Sequence, residues 1–223
     1  MDKTKSKLYT AVLALLLAIF ILSLAIALPI YIRGFYYSQI DRLNIVETSG
    51  YSREVIVEAF DEMMDYCTGN AEFGTGQLVW SQEGKSHFGD CKVLFQLDGR
   101  VVLWSGLGIV IAVIGFGLFA KRVPARVLGR GPLFWGPVLI AGVAGVLAAI
   151  GSRDFDAFFI RFHQLLFPGK SNWIFDPAKD EIIKILPEEV FMNFAILIAG
   201  AVILVSVILI VIDIIVGRSN KDA

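Results

Sequence analysis

Histidine is nearly absent from this chain: among 223 residues there are only His87 and His163. Cysteine is as scarce, with Cys67 and Cys91 alone, and charged residues make up only 18%. Three catalytic signatures are missing: no G-x-S-x-G elbow, no H-E-x-x-H and no P-loop occurs, which argues against a serine hydrolase, a zincin protease and an ATPase. The long apolar runs hold no ionisable residue near their middles, Asp213 lying close to one end. Ion-coupled transporters and pumps usually need such a residue, so a transport role is disfavoured.

What the chain does have is hydrophobicity. It is 56% apolar, with a mean hydropathy of +0.69 and a net charge of -1. A bilayer core about 30 Å thick takes roughly 20 apolar helical residues to cross. Four runs qualify: residues 8–32, 101–120, 133–150 and 190–216. The first also admits a competing reading as a cleaved signal peptide, given its basic start and Ala25-Ile26-Ala27, although it is long for one. Residues 121–132 carry Lys121, Arg122, Arg126 and Arg130 without an acid. Short basic loops stay in the cytoplasm. The expected fold is therefore an all-α integral membrane protein with four transmembrane helices and both termini cytoplasmic. Two extracytoplasmic loops, residues 33–100 and 151–189, would form a small helical cap.

Both histidines then face the same side, in loops too long to be mere connectors. In the first loop Ser52 reads as an N-cap before a helix whose stripe is Ile56, Ala59, Phe60, Met63 and Cys67. His87 and Cys91 stand at i, i+4, and His87 and Asp90 at i, i+3, if their segment is a short helix. In the second loop Ser152 reads as an N-cap ahead of a helix bearing Phe155, Phe158, Phe159, Phe162 and His163. Such an aromatic helix would lie at headgroup level or pack under the first loop. Asp176-Pro177 marks a turn, Asp180 the start of a short helix, and Pro187-Glu188-Glu189 the first turn of the last span. Gly106, Gly108, Gly115 and Gly117, together with Ala141, Gly142, Gly145 and Gly200, suggest close helix packing in the membrane.

Two histidines on one face, each beside carboxylates and aromatics, form a candidate acid–base pair, since imidazole titrates near neutrality. Packing roles are the bland alternative, leaving a non-catalytic membrane protein that binds a partner through its outer loops. Cys67, His87, Cys91 and His163 would also make a four-ligand metal set. A Cys67–Cys91 disulfide is the other expectation for extracytoplasmic thiols. No cofactor and no nucleic-acid partner is expected.

The second loop holds an aromatic run ending in Phe162-His163, then Trp173, Phe175-Asp176-Pro177, Asp180 and Leu186-Pro187-Glu188. With His87, Asp90 and Lys92 in the first loop, this resembles the bacterial lipoprotein intramolecular transacylases, a family of four-helix membrane proteins. Cys91 departs from the aliphatic residue expected there. The resemblance implies an acyltransferase of the bacterial cytoplasmic membrane with its site on the extracytoplasmic face. Its substrate would be a diacylated lipoprotein, presented among membrane lipids. One acyl chain would move from the glyceryl group of the lipid-modified N-terminal cysteine to that cysteine's own α-amino group, giving the lyso form. For that reaction His163 is expected as general base with His87 as its partner, and the sequence equally admits the two roles exchanged. Asp90 or Asp176 would orient an imidazole, unless they are a helix-face charge and a turn residue. Arg161 would contact the oxyanion or a headgroup, and Trp173 the acyl path or the interface.

Overall fold

The structure is a computed structural model describing residues 3–120 and 126–222. Lys121 and Arg122 of the basic loop lie outside the described residues, as do the side chains of Arg218 and Lys221. Among the described residues there are helices and no strand: α1 (Lys3–Tyr31), α2 (Arg33–Arg42), α3 (Ile45–Ser49), α4 (Arg53–Thr68), α5 (Gln82–Ala120), α6 (Pro132–Gly151), α7 (Phe155–Leu166), α8 (Ile182–Ile185) and α9 (Glu188–Asp222). Helices α1, α5, α6 and α9 are long and apolar enough to cross a membrane.

Helix α5 differs from expectation. The His87 segment is not a separate short helix but the first turns of a helix of 39 residues. No proline interrupts residues 82–120, and the charges at Lys85, Asp90, Lys92, Asp98 and Arg100 stop a hydropathy profile without stopping a helix. At 1.5 Å per residue it is about 58 Å long, twice a hydrocarbon core. Only the uncharged part from Val101 onward suits the bilayer interior.

Two compact units divide the chain, Met1–Ile26, Gly99–Ala148 and Ile198–Ala223 in the first, Ala27–Asp98 and Ala149–Leu197 in the second. The first unit has an apolar core. Ala18, Ile21, Ala25, Ile140 and Val202 form its buried cluster. Leu103, Ile111, Leu118, Val146, Leu204 and Ile215 stay exposed, an apolar surface that a soluble monomer would not tolerate and that lipid covers without cost. Close approach depends on glycine at few positions. A Cβ at Gly136 would strike the Ala14 carbonyl oxygen, and one at Gly106 would press on Phe20, whereas Gly115, Gly117, Gly142, Gly145 and Gly200 face open space.

A polar clasp closes one end of this unit. Asp213 is 3% exposed. Its carboxylate accepts from Arg126 Nη2 at 2.6 Å and from the Gly131 amide at 3.0 Å. Between those donors the chain makes a two-residue turn, with paired bonds joining Val127 and Arg130. Leu128 and Gly129 both take positive φ there, 50° and 75°, as a type I′ turn demands.

In the second unit α2, α3, α4 and α8 surround a small core. The α4 stripe is buried as its periodicity predicts, Ile56, Ala59, Phe60, Met63 and Cys67 all being inside with Met64 beside them. Ser52 caps the helix, accepting from the Val55 amide. Tyr36 stacks on Phe60 with ring centroids 3.7 Å apart and donates its hydroxyl to the Ile185 carbonyl at 2.8 Å. Around this core, Arg33 pairs with Asp61 and Asp65.

Two caps fall elsewhere than the sequence suggests. The N-cap of α7 is Asp154, whose Oδ1 accepts from the Ala157 amide at 2.9 Å, while Ser152 donates its hydroxyl to the Ala149 carbonyl. Asp180 does not begin α8, which starts at Ile182 after Glu181. Its carboxylate crosses to the start of α5 and accepts from Ser81 N and Ser81 Oγ, each at 2.8 Å. Ser81 Oγ in turn accepts from the Gly84 amide at 3.0 Å. Beside it Glu181 accepts from the Val79 amide and from Lys184 Nζ. These bonds fix the start of α5, and with it the direction in which the His87 turn points.

Candidate active site

His87 stands on the second turn of α5 and His163 on the last turn of α7. Both are buried, at 6% and 8% exposure, although both are polar. Their ring centroids lie 5.9 Å apart. Histidines far apart in sequence therefore face one another within the second unit.

Their walls are aromatic. His163 sits 4.1 Å from Phe159 and stacks on Trp173 at 4.9 Å. Phe167 meets both imidazoles edge-on or tilted, at 5.0 Å from His87 and 5.8 Å from His163, and Phe175 meets His87 at 5.5 Å. The aromatic excess on α7 serves this box on one side. On the other side Phe162, Leu165 and Leu166 remain exposed, an apolar face suited to lipid.

Hydrogen bonds assign the proton on His163. Its Nδ1 lies 2.9 Å from the Phe159 carbonyl oxygen. A carbonyl only accepts, so Nδ1 carries the hydrogen and Nε2 keeps its lone pair. Burial lowers the His163 pKa, the bond to Phe159 opposing it. His87 is lowered further, to about 4, first by burial and then by the neighbouring His163, with Asp90 working in the opposite direction. Both rings are thus neutral at pH 7. His87 Nε2 is 3.4 Å from Cys91 Sγ, and His87 Nδ1 is buried with no hydrogen-bond partner.

No carboxylate hydrogen-bonds either ring among the described residues. Asp90 receives Lys170 Nζ at 2.6 Å and Asn172 Nδ2 at 3.1 Å. Burial pushes its carboxyl up, but Lys170 and Asn172 outweigh that and leave its pKa lowered. Asp176 is engaged in its own turn, accepting from the Ala178 amide at 3.0 Å with Lys179 nearby. Arg161 is exposed. Cys67 and Cys91 are unbridged. Cys67, 1% exposed, points its thiol at the Phe88 carbonyl, and burial raises its pKa to about 12. Among the described residues no three His, Cys, Asp or Glu side chains converge as a metal would require.

Sequence reasoning missed Phe167, Lys170 and Asn172. The last two sit in a Pro-Gly-Lys-Ser-Asn stretch whose composition signals only a turn. They line an open cleft of about 400 Å³ with Glu83, Ser86, Ile174 and Asp180. Asn172 Oδ1 there is a buried acceptor without a partner.

Two imidazoles, both lowered in pKa by burial, thus face one another in an aromatic box, and among the described residues the Cys91 thiol is the only side-chain group within hydrogen-bond reach of either ring. The sequence matches the family model of the lipoprotein intramolecular transacylase Lit over residues 11–191, and the chain belongs to that family. The solved structure of the membrane-integral lipoprotein intramolecular transacylase Lit from Bacillus cereus is 26% identical and superimposes with a TM-score of 0.89 over all of both chains. Two structures of that protein with one histidine replaced, by arginine or by alanine, match at TM-scores of 0.81 and 0.82, each at 26% identity. They cover 98% and 99% of this chain and 94% and 97% of theirs. A comparison with curated protein sequences gives no match.

Proposed function

We propose that this chain is a lipoprotein intramolecular transacylase, an acyltransferase that converts a diacylated lipoprotein into its N-acylated lyso form. The observation that carries the reading is the pair of buried, neutral histidines in a chain of this family. His163 is the general base. Its Nε2, freed by the bond from Nδ1 to Phe159, takes a proton from the α-ammonium of the lipid-modified cysteine, whose unperturbed pKa is about 7.7–8.0. The amine attacks the ester carbonyl of one glyceryl acyl chain. A C–N bond forms, the attacking nitrogen gives up a second proton, the tetrahedral oxyanion collapses and the C–O bond to glycerol breaks; of the two protons shed by nitrogen one leaves to solvent and the other ends on the glyceryl oxygen. His87, across the box, either meets the oxyanion or returns that proton. The substrate supplies nucleophile and electrophile together, so the protein's share is proton transfer, charge stabilisation and orientation.

Trp173, stacked on His163, holds the base and borders the acyl path. Asp90, tied to Lys170 and Asn172, adds negative potential near His87. The polar cleft lined by Ser86 and Asn172 receives the peptide that follows the lipidated cysteine, and the exposed Arg161 meets lipid headgroups. Asp176 keeps the turn that carries Trp173 and Phe175. Arg126 and Arg130, together with Lys121 and Arg122, hold their loop and both termini in the cytoplasm. The histidine site then opens on the extracytoplasmic face of a bacterial cytoplasmic membrane.

The test is mass spectrometry of a lipoprotein's N-terminal lipopeptide after co-expression in a host lacking its own N-acylation. The wild-type chain yields the N-acyl, mono-acylglyceryl form. His163→Ala and His87→Ala, expressed at equal levels, lose this product by about 100-fold or more. A diacyl form left untouched by the wild-type chain would overturn the assignment.

A further inference from the structure

Cys91 is the residue of the site that neither the paired-histidine chemistry nor the fold requires. Its sulfur lies 3.4 Å from His87 Nε2, one helical turn away on α5, while the opposite nitrogen of the same ring, Nδ1, is buried and unpartnered. Two arrangements fit that distance. In one, the thiol S–H donates to Nε2 and the ring hydrogen sits on Nδ1. In the other, Nε2–H points at sulfur and Nδ1 is a bare lone pair.

The first is favoured by the chemistry of the groups. An imidazole nitrogen lone pair is a strong acceptor and sulfur a weak one. Either way the group at Nδ1 is unpartnered, as an N–H in the first arrangement and as a lone pair in the second; donation by the thiol satisfies the ring's acceptor, whereas the reverse matches the ring N–H with a poor partner. Cys91 has its proton to give, since a thiol without a cationic partner stays protonated at neutral pH. His163 is already committed in the complementary sense, with Nδ1–H on Phe159 and Nε2 open. One ring then presents a lone pair and the other an N–H.

We propose that Cys91 is a positioning residue: its thiol donates to His87 Nε2, holds that imidazole in the Nδ1–H form, and so makes His87 the donor that receives the oxyanion while His163 serves as base. This rests on the transacylase reading above and narrows it, since His87 is there free either to meet the oxyanion or to return the proton. Removing the thiol leaves His87 in place but free to take the Nε2–H form, the one neutral imidazole side chains prefer in water. A ring with its hydrogen on the wrong nitrogen keeps geometry and loses rate, as other histidine sites show.

The chain's two histidines make the test direct. The full-length protein, labelled with ¹⁵N-histidine and held in detergent micelles, gives a ¹⁵N spectrum of two rings, assigned with a His163→Gln variant. Wild type is expected to show Nδ1–H on both. Cys91→Ala should move His87 alone toward Nε2–H, and Cys91→Ser, which keeps a donor at that place, should restore Nδ1–H. The His163 ring, bonded to a backbone carbonyl, reports in both Cys91 variants that the site is intact. With the purified protein and a diacylated lipopeptide in mixed micelles, Cys91→Ala should lower kcat by about 10-fold to 100-fold at unchanged KM, with Cys91→Ser recovering most of it. His87 found with Nε2–H in the wild type, or unmoved in Cys91→Ala, overturns the proposal. The expected tautomers in a wild-type chain that transfers no acyl group would instead sink the transacylase reading and leave the Cys91–His87 pairing standing.

Discussion

Replacing Asp180 tests how the start of α5 is held. This carboxylate is 4% exposed and accepts from Ser81 N and Ser81 Oγ at 2.8 Å each, just ahead of the first turn of the helix that carries His87. A hydrogen bond to a charged group contributes about 1.5–3 kcal/mol, and an anion at a helix N-terminus adds about 0.3–1 kcal/mol. With partial relaxation of the Ser81 donors, Asp180→Ala should cost about 3 kcal/mol. Asp180→Asn keeps one acceptor oxygen and should cost about 1–2 kcal/mol. For a chain of this size each kcal/mol shifts Tm by roughly 2–4 °C, so the alanine variant should melt about 6–12 °C lower. The assay is thermal unfolding in detergent micelles in a Cys91→Ser background, read by a thiol-reactive dye. Cys67, buried and with its pKa raised to about 12, reacts only once the second unit opens. An alanine variant melting within about 2 °C of its parent would refute the reasoning. The companion variant Gly84→Ala, whose Cβ would collide with Asp180 Oδ1, should show a loss of the same kind.

Acid should destabilise the fold before its carboxylates titrate. The His87 pKa falls from 6.5 in the unfolded chain to about 4 in the folded one, so between those values the unfolded state binds the extra proton. Stability is complete above about pH 6.5 and drains as pH falls towards 4, by about 3 kcal/mol in all. His163, lowered by burial, adds in the same direction. Melting temperature measured against pH should therefore slope over this window, and His87→Gln should flatten most of the slope; an unchanged slope would contradict the buried, neutral ring. In the first unit Asp213→Ala removes the acceptor shared by Arg126 and the Gly131 amide. It should cost about 2–4 kcal/mol in a melt followed by loss of helical circular dichroism, whereas a neutral result would mean the clasp is replaced by solvent.

Much of this molecule is written in local sequence. Uncharged runs long enough for a bilayer, the 3.6-residue stripe from Ile56 to Cys67, and Ser52 before it depend only on neighbours in the chain, so they could be read directly. The candidacy of the two histidines was legible for a similar reason: the runs hold no central charge, the catalytic signatures are missing, and Phe162-His163 stands in a motif that resembles one family. Other features resisted reading because their partners are distant. Nothing near Asp180 shows that its carboxylate serves Ser81, a hundred residues earlier. Nothing near Asp154 or Ser152 says which will cap α7, since both side chains suit a cap and only backbone geometry chooses. The continuity of α5 was hidden because charge ends a hydropathy run but not a helix.

By itself the sequence determined that four apolar helices suit a membrane and that only two side chains are imidazoles, since these follow from composition and short-range periodicity. Tertiary structure alone decided that His87 and His163 face one another 5.9 Å apart, with Phe167, Trp173 and Phe175 around them. Which ring nitrogen carries the hydrogen also depends on it. That choice rests with Phe159 O and Cys91 Sγ, each one turn away on the same helix, and the direction a side chain takes toward such a neighbour is fixed only when the packing around it is complete.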